Sequence, residues 1–156
     1  MTKTVLLTGF LAGVTAALLG YGAGVRPSLS FVLYAASALP VLIAGLGWGL
    51  RAAAVAVGVA AIVGSLLISP MFALTMGIFT TVPACWISHL ANLARPASEI
   101  GGPDDQLAWY PLPDILLHLC ALVTAAVIIL GTMIGFGPDF IERLVEAMAK
   151  TFADQP

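Results

Sequence analysis

Four side chains in this sequence could bind a soft metal, and they fall in two pairs. Cys85 and His89 are four residues apart, and His118 and Cys120 are two apart. A spacing of four puts a thiol and an imidazole on one face of a helix. Two histidines on adjacent helices near one membrane surface would be the simplest protein seat for a haem or a metal ion. The spacings match no established metal signature, and an imidazole bonded to a polar partner at the membrane boundary is the blander alternative. No metal or cofactor is therefore expected, with His89 and His118 the candidates if one binds. The hydroxyls of Thr15, Ser37, Ser65, Thr75, Thr80, Thr81 and Thr124 suit bonds to their own helices. No nucleophile, base and acid occur as a set, so no catalytic residue is assigned and the chain reads as a non-enzyme.

Whatever these residues do, they must be positioned in a nearly charge-free chain. Thr4 to Val25, Pro27 to Leu50 and Ala52 to Ser88 contain no ionisable acid or base, and Ile115 to Gly137 contains only His118. A hydrocarbon core about 30 Å thick needs roughly 20 apolar residues in a helix. Of the 156 residues 60% are hydrophobic and 9% charged, against about a quarter charged in a soluble domain. The chain reads as an all-α polytopic bundle of five spans over residues 1–136, with a surface helix and tail over 137–156. The lipid bilayer is its first partner. A net charge of -2 without a basic cluster excludes nucleic acid. Buried charge usually marks proton relays and ion paths, and its absence argues against a proton-coupled pump. Cys85 and Cys120 lie in apolar blocks and read as small hydrophobes.

Met1-Thr2-Lys3 before an apolar run resembles a signal peptide in outline. The run's length and the spans that follow predict an uncleaved first helix over Thr4–Gly24, stopped by Arg26-Pro27. The second span runs from Ser28 or Ser30 to Gly49 or Leu50, kinked where Pro40 removes a hydrogen bond. The third covers Ala52–Ile68 after a turn at Arg51. The fourth begins with Ser69 as cap and Pro70 as first helical residue, and continues to about Leu93 with a kink at Pro83. Residues 96–113 read as a polar loop, and the fifth span covers Asp114–Phe136. Lys3, Arg51 and Arg95 fall on one side and Arg26 on the other, which predicts a cytoplasmic N-terminus.

Gly9, Ala12, Gly13, Ala16 and Gly20 give the first helix a face of small residues at helical spacing. Such faces let helix backbones approach closely, either within the chain's own bundle or against a partner subunit or second copy. Ala54, Gly58 and Ala60-Ala61 repeat the theme in the third span. Ala44-Gly45-Leu46-Gly47-Trp48-Gly49 looks like a phosphate loop but has no preceding strand and no Lys-Ser/Thr after it. Trp48, Trp109 and Tyr110 are instead read as interface anchors. In the tail, Phe140, Ile141, Leu144, Val145, Met148 and Phe152 trace one helical face opposite Glu142, Arg143, Glu146 and Lys150, the pattern of an amphipathic surface helix.

The string Ala38-Leu39-Pro40-Val41-Leu42-Ile43-Ala44-Gly45-Leu46-Gly47-Trp48-Gly49-Leu50-Arg51 is suggestive of a family. Together with Val82-Pro83-Ala84-Cys85-Trp86-Ile87-Ser88-His89-Leu90, Ala94-Arg95-Pro96 and Trp109-Tyr110-Pro111-Leu112, it resembles the YybS-like family of bacterial inner-membrane proteins, over about residues 29–136. That family has no established activity and is loosely grouped with the substrate-binding S-components of energy-coupling-factor transporters. The resemblance implies a compact helical bundle in the inner membrane that binds a small-molecule solute, with the first helix docking a coupling partner. Family members are about twice this length, so the chain resembles an N-terminal half or a truncated member. The competing expectation is an accessory or scaffold subunit of a larger membrane complex.

Overall fold

The computed structural model of the chain describes residues 2–101, 103, 105–134, 142, 145 and 146. Seven α-helices are described: α1 (Lys3–Val25), α2 (Ser30–Ala36), α3 (Ala38–Trp48), α4 (Leu50–Leu67), α5 (Pro70–Met76), α6 (Val82–Ala91) and α7 (Leu112–Ile134). Taken as spans, these give five helices long and apolar enough to cross a membrane: Lys3–Val25, Ser30–Trp48, Leu50–Leu67, Pro70–Ala91 and Leu112–Thr132. The fold is all-α apart from one short strand pair, the build of a multi-pass membrane protein. The chain divides into two compact units, Met1–Val123 and Thr124–Pro156, with the division inside α7.

The first unit is packed inside out relative to a water-soluble domain. Its buried residues are mainly alanine and glycine, and Met76 and Val41 are the largest fully buried side chains. Large apolar side chains point outward instead, with Phe31 86% and Leu66 80% exposed. Lipid tails solvate such groups, so close packing of small residues has to hold the helices together.

The most extensive seam joins α1 to α4. A Cβ built on Gly9 would stand 2.6 Å from the Ala52 carbonyl oxygen, and one on Gly13 would stand 2.5 Å from that of Ala56. Contacts that advance together along both chains mean the two helices run parallel. The intervening span must then return, as alternating crossings require. Ala16 and Ala17 are fully buried, and Gly20 reaches Phe72 and Met76 on α5.

Both proline kinks take a different form from the simple bend expected. The second span breaks at Ser37, between α2 and α3. Pro40 thereby becomes the third residue of a new helix, where a missing N–H costs no intrahelical bond. The buried Ser37 hydroxyl donates to the Tyr34 carbonyl at 2.6 Å. The fourth span passes through a π turn, Gly77–Thr81, before α6. The Val82 N–H bonds the Gly77 carbonyl, and the Thr80 hydroxyl donates to the Met76 carbonyl at 2.7 Å. A widened turn of this kind absorbs the residue whose bond Pro83 cannot make.

These breaks expose a tandem pattern. Gly9 and Ala52 are 43 positions apart, as are Gly13 and Ala56, Ser37 and Thr80, Gly45 and Ser88, and the proline pairs Pro27/Pro70 and Pro40/Pro83. Ala17 and Ala60, Val41 and Ala84, and Ser37 and Thr80 are buried as pairs. The first four spans form two helical hairpins that share a proline spacing and a seven-residue helix before the break.

Several boundaries differ from the sequence reading. α4 starts at Leu50, so Arg51 lies in the helix and Gly49 alone makes the turn, at φ 80°. That left-handed conformation is open to glycine at little cost. Within 96–113 the chain is not all loop, because β1 (Ala94–Pro96) pairs antiparallel with β2 (Leu107–Trp109). α7 begins at Leu112, two residues early. As expected, Ser69 caps α5, accepting from the Phe72 N–H at 3.1 Å.

Candidate functional site

At the end of the bundle that carries Lys3, the fourth span stops at Ala91 and the fifth starts at Leu112. Between them the strand pair aligns Ala94 with Trp109, Arg95 with Ala108 and Pro96 with Leu107. Tyr110 N–H donates to the Leu93 carbonyl and Ala97 N–H to that of Gln106, both at 2.9 Å, extending the ladder at each end. Gly101 turns the connection at φ 82°. Pro113 falls in the first turn of α7, where proline is tolerated, and Asp114 places a carboxylate at the positive end of the helix dipole.

These elements line an open cavity of about 400 Å³, bounded by Leu93, Ala94, Arg95, Ala108, Trp109, Tyr110, Pro111 and Asp114. Its size is in the range of small-molecule sites. One cation, one anion and two amphipathic aromatic residues line the cavity, with Arg95 and Ala108 on one face of the strand pair and Trp109 on the other. No ion pair within 4.0 Å joins Arg95 to Asp114 among the described residues, and both side chains are exposed. The strand pair holds Arg95 and Trp109, and α7 holds Asp114.

An aromatic cluster adjoins the cavity through Tyr110. The Tyr110 and His118 ring centroids are 6.2 Å apart, edge to face. Trp86 stands 6.5 Å from His118 and 5.9 Å from His89. His118 Nδ1–H donates to the Asp114 carbonyl at 2.8 Å, which selects the tautomer with Nε2 as acceptor. The histidines do share one end of the bundle, but each packs on the Trp86 ring. No cluster of three or more His, Cys, Asp or Glu suited to a metal occurs among the described residues. Cys85 is half-buried and Cys120 exposed, both as free thiols.

The other sequence-derived residues fall elsewhere. Gly9, Ala12, Gly13, Ala16 and Gly20 lie on the face that α1 turns into its own bundle, and a partner could reach Gly9 and Gly13 only by displacing α4. Trp48, 45% exposed, ends α3 at the same end of the bundle as Trp109, 62% exposed, and the half-buried Tyr110. The glycine string before α4 has two structural tasks. Gly45 admits the buried Ser88, which a Cβ there would strike, and Gly49 turns the chain. Of the tail stripe, Phe140, Ile141, Leu144, Met148 and Phe152 lie outside the described residues. Val145 is helical and 59% exposed.

Sequence reasoning missed three polar residues. Arg95 and Asp114 read separately as a topology charge and the first residue of the fifth span, because runs of three residues are too short to announce the pairing that joins them. Asn92 donates to the Gly45 carbonyl at 2.8 Å, tying α6 to α3; an amide ending an apolar helix was the available signal. No family model matches this chain, and neither a curated protein nor a solved structure shows significant similarity to it.

Proposed function

We propose that this is a non-enzymatic binding protein of a bacterial inner membrane, YybS-like and akin to transporter S-components, that holds a small molecule at the membrane surface. The cavity framed by Arg95, Trp109, Tyr110 and Asp114 carries this reading. A cytoplasmic N-terminus, supported by the positions of Lys3, Arg51 and Arg95, puts the cavity on the cytoplasmic side, opposite to the face from which S-components take up their solute. Native mass spectrometry of the protein purified in mild detergent tests it. The expected result is a retained small ligand that is lost in Trp109→Ala. Bare protein, or protein bound only to other subunits, would refute it.

The second reading, an accessory or scaffold subunit, rests on the outer face of α4. Ala54 is exposed there, and a Cβ on Gly58 would meet nothing within 4 Å. Ala61 and Ser65 continue that face into a shallow groove of about 330 Å³ alongside α5. The same spectra separate the two readings, because a scaffold subunit carries partners in fixed ratio.

A further inference from the structure

We infer that the cavity is a seat for an aminophospholipid headgroup, with the phosphate on Arg95 and the ammonium held by Asp114 beside Tyr110. The inference rests on the binding reading above and names its ligand class. Both charges line one cavity and are not paired with each other among the described residues. A neutral ligand would gain nothing from either exposed charge. A purely anionic ligand would face Asp114, and a purely cationic one would face Arg95. A phosphate–ammonium zwitterion satisfies both, through charge-assisted hydrogen bonds and the attraction of an ammonium to aromatic faces.

Position selects a lipid over a free solute with the same headgroup chemistry. The cavity sits where two spans end, at the depth of headgroups, and tryptophan and tyrosine favour that depth. Next to it, the first turns of α7 leave Leu112 66%, Leu116 53% and Leu117 67% exposed. These side chains offer an apolar track for acyl chains attached to a headgroup held in the cavity.

The test is a lipid titration of the purified full-length protein followed by native mass spectrometry. It uses phosphatidylethanolamine, phosphatidylcholine and phosphatidylglycerol with identical acyl chains, and soluble phosphoethanolamine as competitor. Phosphatidylethanolamine should bind best. Asp114→Asn should bring it level with phosphatidylglycerol, which has no ammonium. Arg95→Gln should weaken both, by about fivefold or less, the scale of one exposed charge pair. Arg51→Gln, at the same end of the bundle but outside the cavity, should change neither. Phosphoethanolamine should displace little lipid; full displacement at equal concentration would overturn the lipid assignment in favour of the free zwitterion. Equal binding of phosphatidylethanolamine and phosphatidylglycerol by the parent protein would overturn the inference. So would a preference that survives Asp114→Asn. A retained non-lipid molecule that no lipid displaces would overturn the headgroup assignment and leave the binding reading standing.

Discussion

The two hairpins, α1 to α3 and α4 to α6, meet the same local problem and solve it differently. Each carries a proline thirteen positions after the proline that opens its second span, and each must do without one backbone donor. The first hairpin stops the helix at Ser37 and begins another. The second keeps the helix going through the π turn Gly77–Thr81. The residues before each proline account for the choice. Tyr34-Ala35-Ala36-Ser37 is compact apart from the tyrosine, and the chain can close tightly around the serine hydroxyl. Gly77-Ile78-Phe79-Thr80-Thr81 combines a glycine with three β-branched residues, which lower helix propensity and make a widened turn less costly. A shared proline thus dictates that the helix deviates, while its neighbours dictate how.

The seam between the hairpins gives the sharpest way to break this pairing. Gly13→Leu drives a side chain into the Ala56 carbonyl, and overpacking of that kind costs about 1–3 kcal/mol, at the upper end when backbone cannot yield. The variant should lose its folded, monodisperse form in detergent. Gly58→Leu, at a site with open space, should unfold within about 0.5 kcal/mol of the parent, as surface changes do. Equal damage from both would remove the seam from its central role.

Gly49→Ala probes the turn that joins the hairpins. It forces an L side chain to φ 80° and ψ -179° and should cost about 1–3 kcal/mol, read as a lower midpoint in a detergent unfolding series. The smallest effect compares the breaks themselves. Ser37→Ala and Thr80→Ala each remove a hydroxyl that donates to a carbonyl of its own span, worth about 1 kcal/mol. Similar losses would support equivalence of the two positions. If Thr80→Ala proves neutral, the π turn does not depend on its hydroxyl.

The sequence was most legible where lipid is the constraint. Five spans followed from charge-free length, and the Ser69-Pro70 start from capping chemistry. It was least legible where the decisive partner is distant. Arg95 meets Ala108 across the strand pair, and Asn92 bonds a carbonyl 47 residues away; neither pairing has a periodic signature. The small residues of α1 announced close packing but not the helix they pack on, because glycine spacing describes one surface only. The spacing of Pro27 and Pro40, repeated at Pro70 and Pro83, was the one long-range signal open to inspection. It is read only when the chain is compared with itself.

Gly49 also bears on how the protein enters the membrane. A single residue joins Trp48 to Leu50, so the second and third spans share no loop that could linger in water while one waits for the other. Gly45 already touches Ala53 across that turn. The expected consequence is that the second and third spans insert together, and a reporter inserted at Gly49 should impair insertion before it disturbs the finished fold.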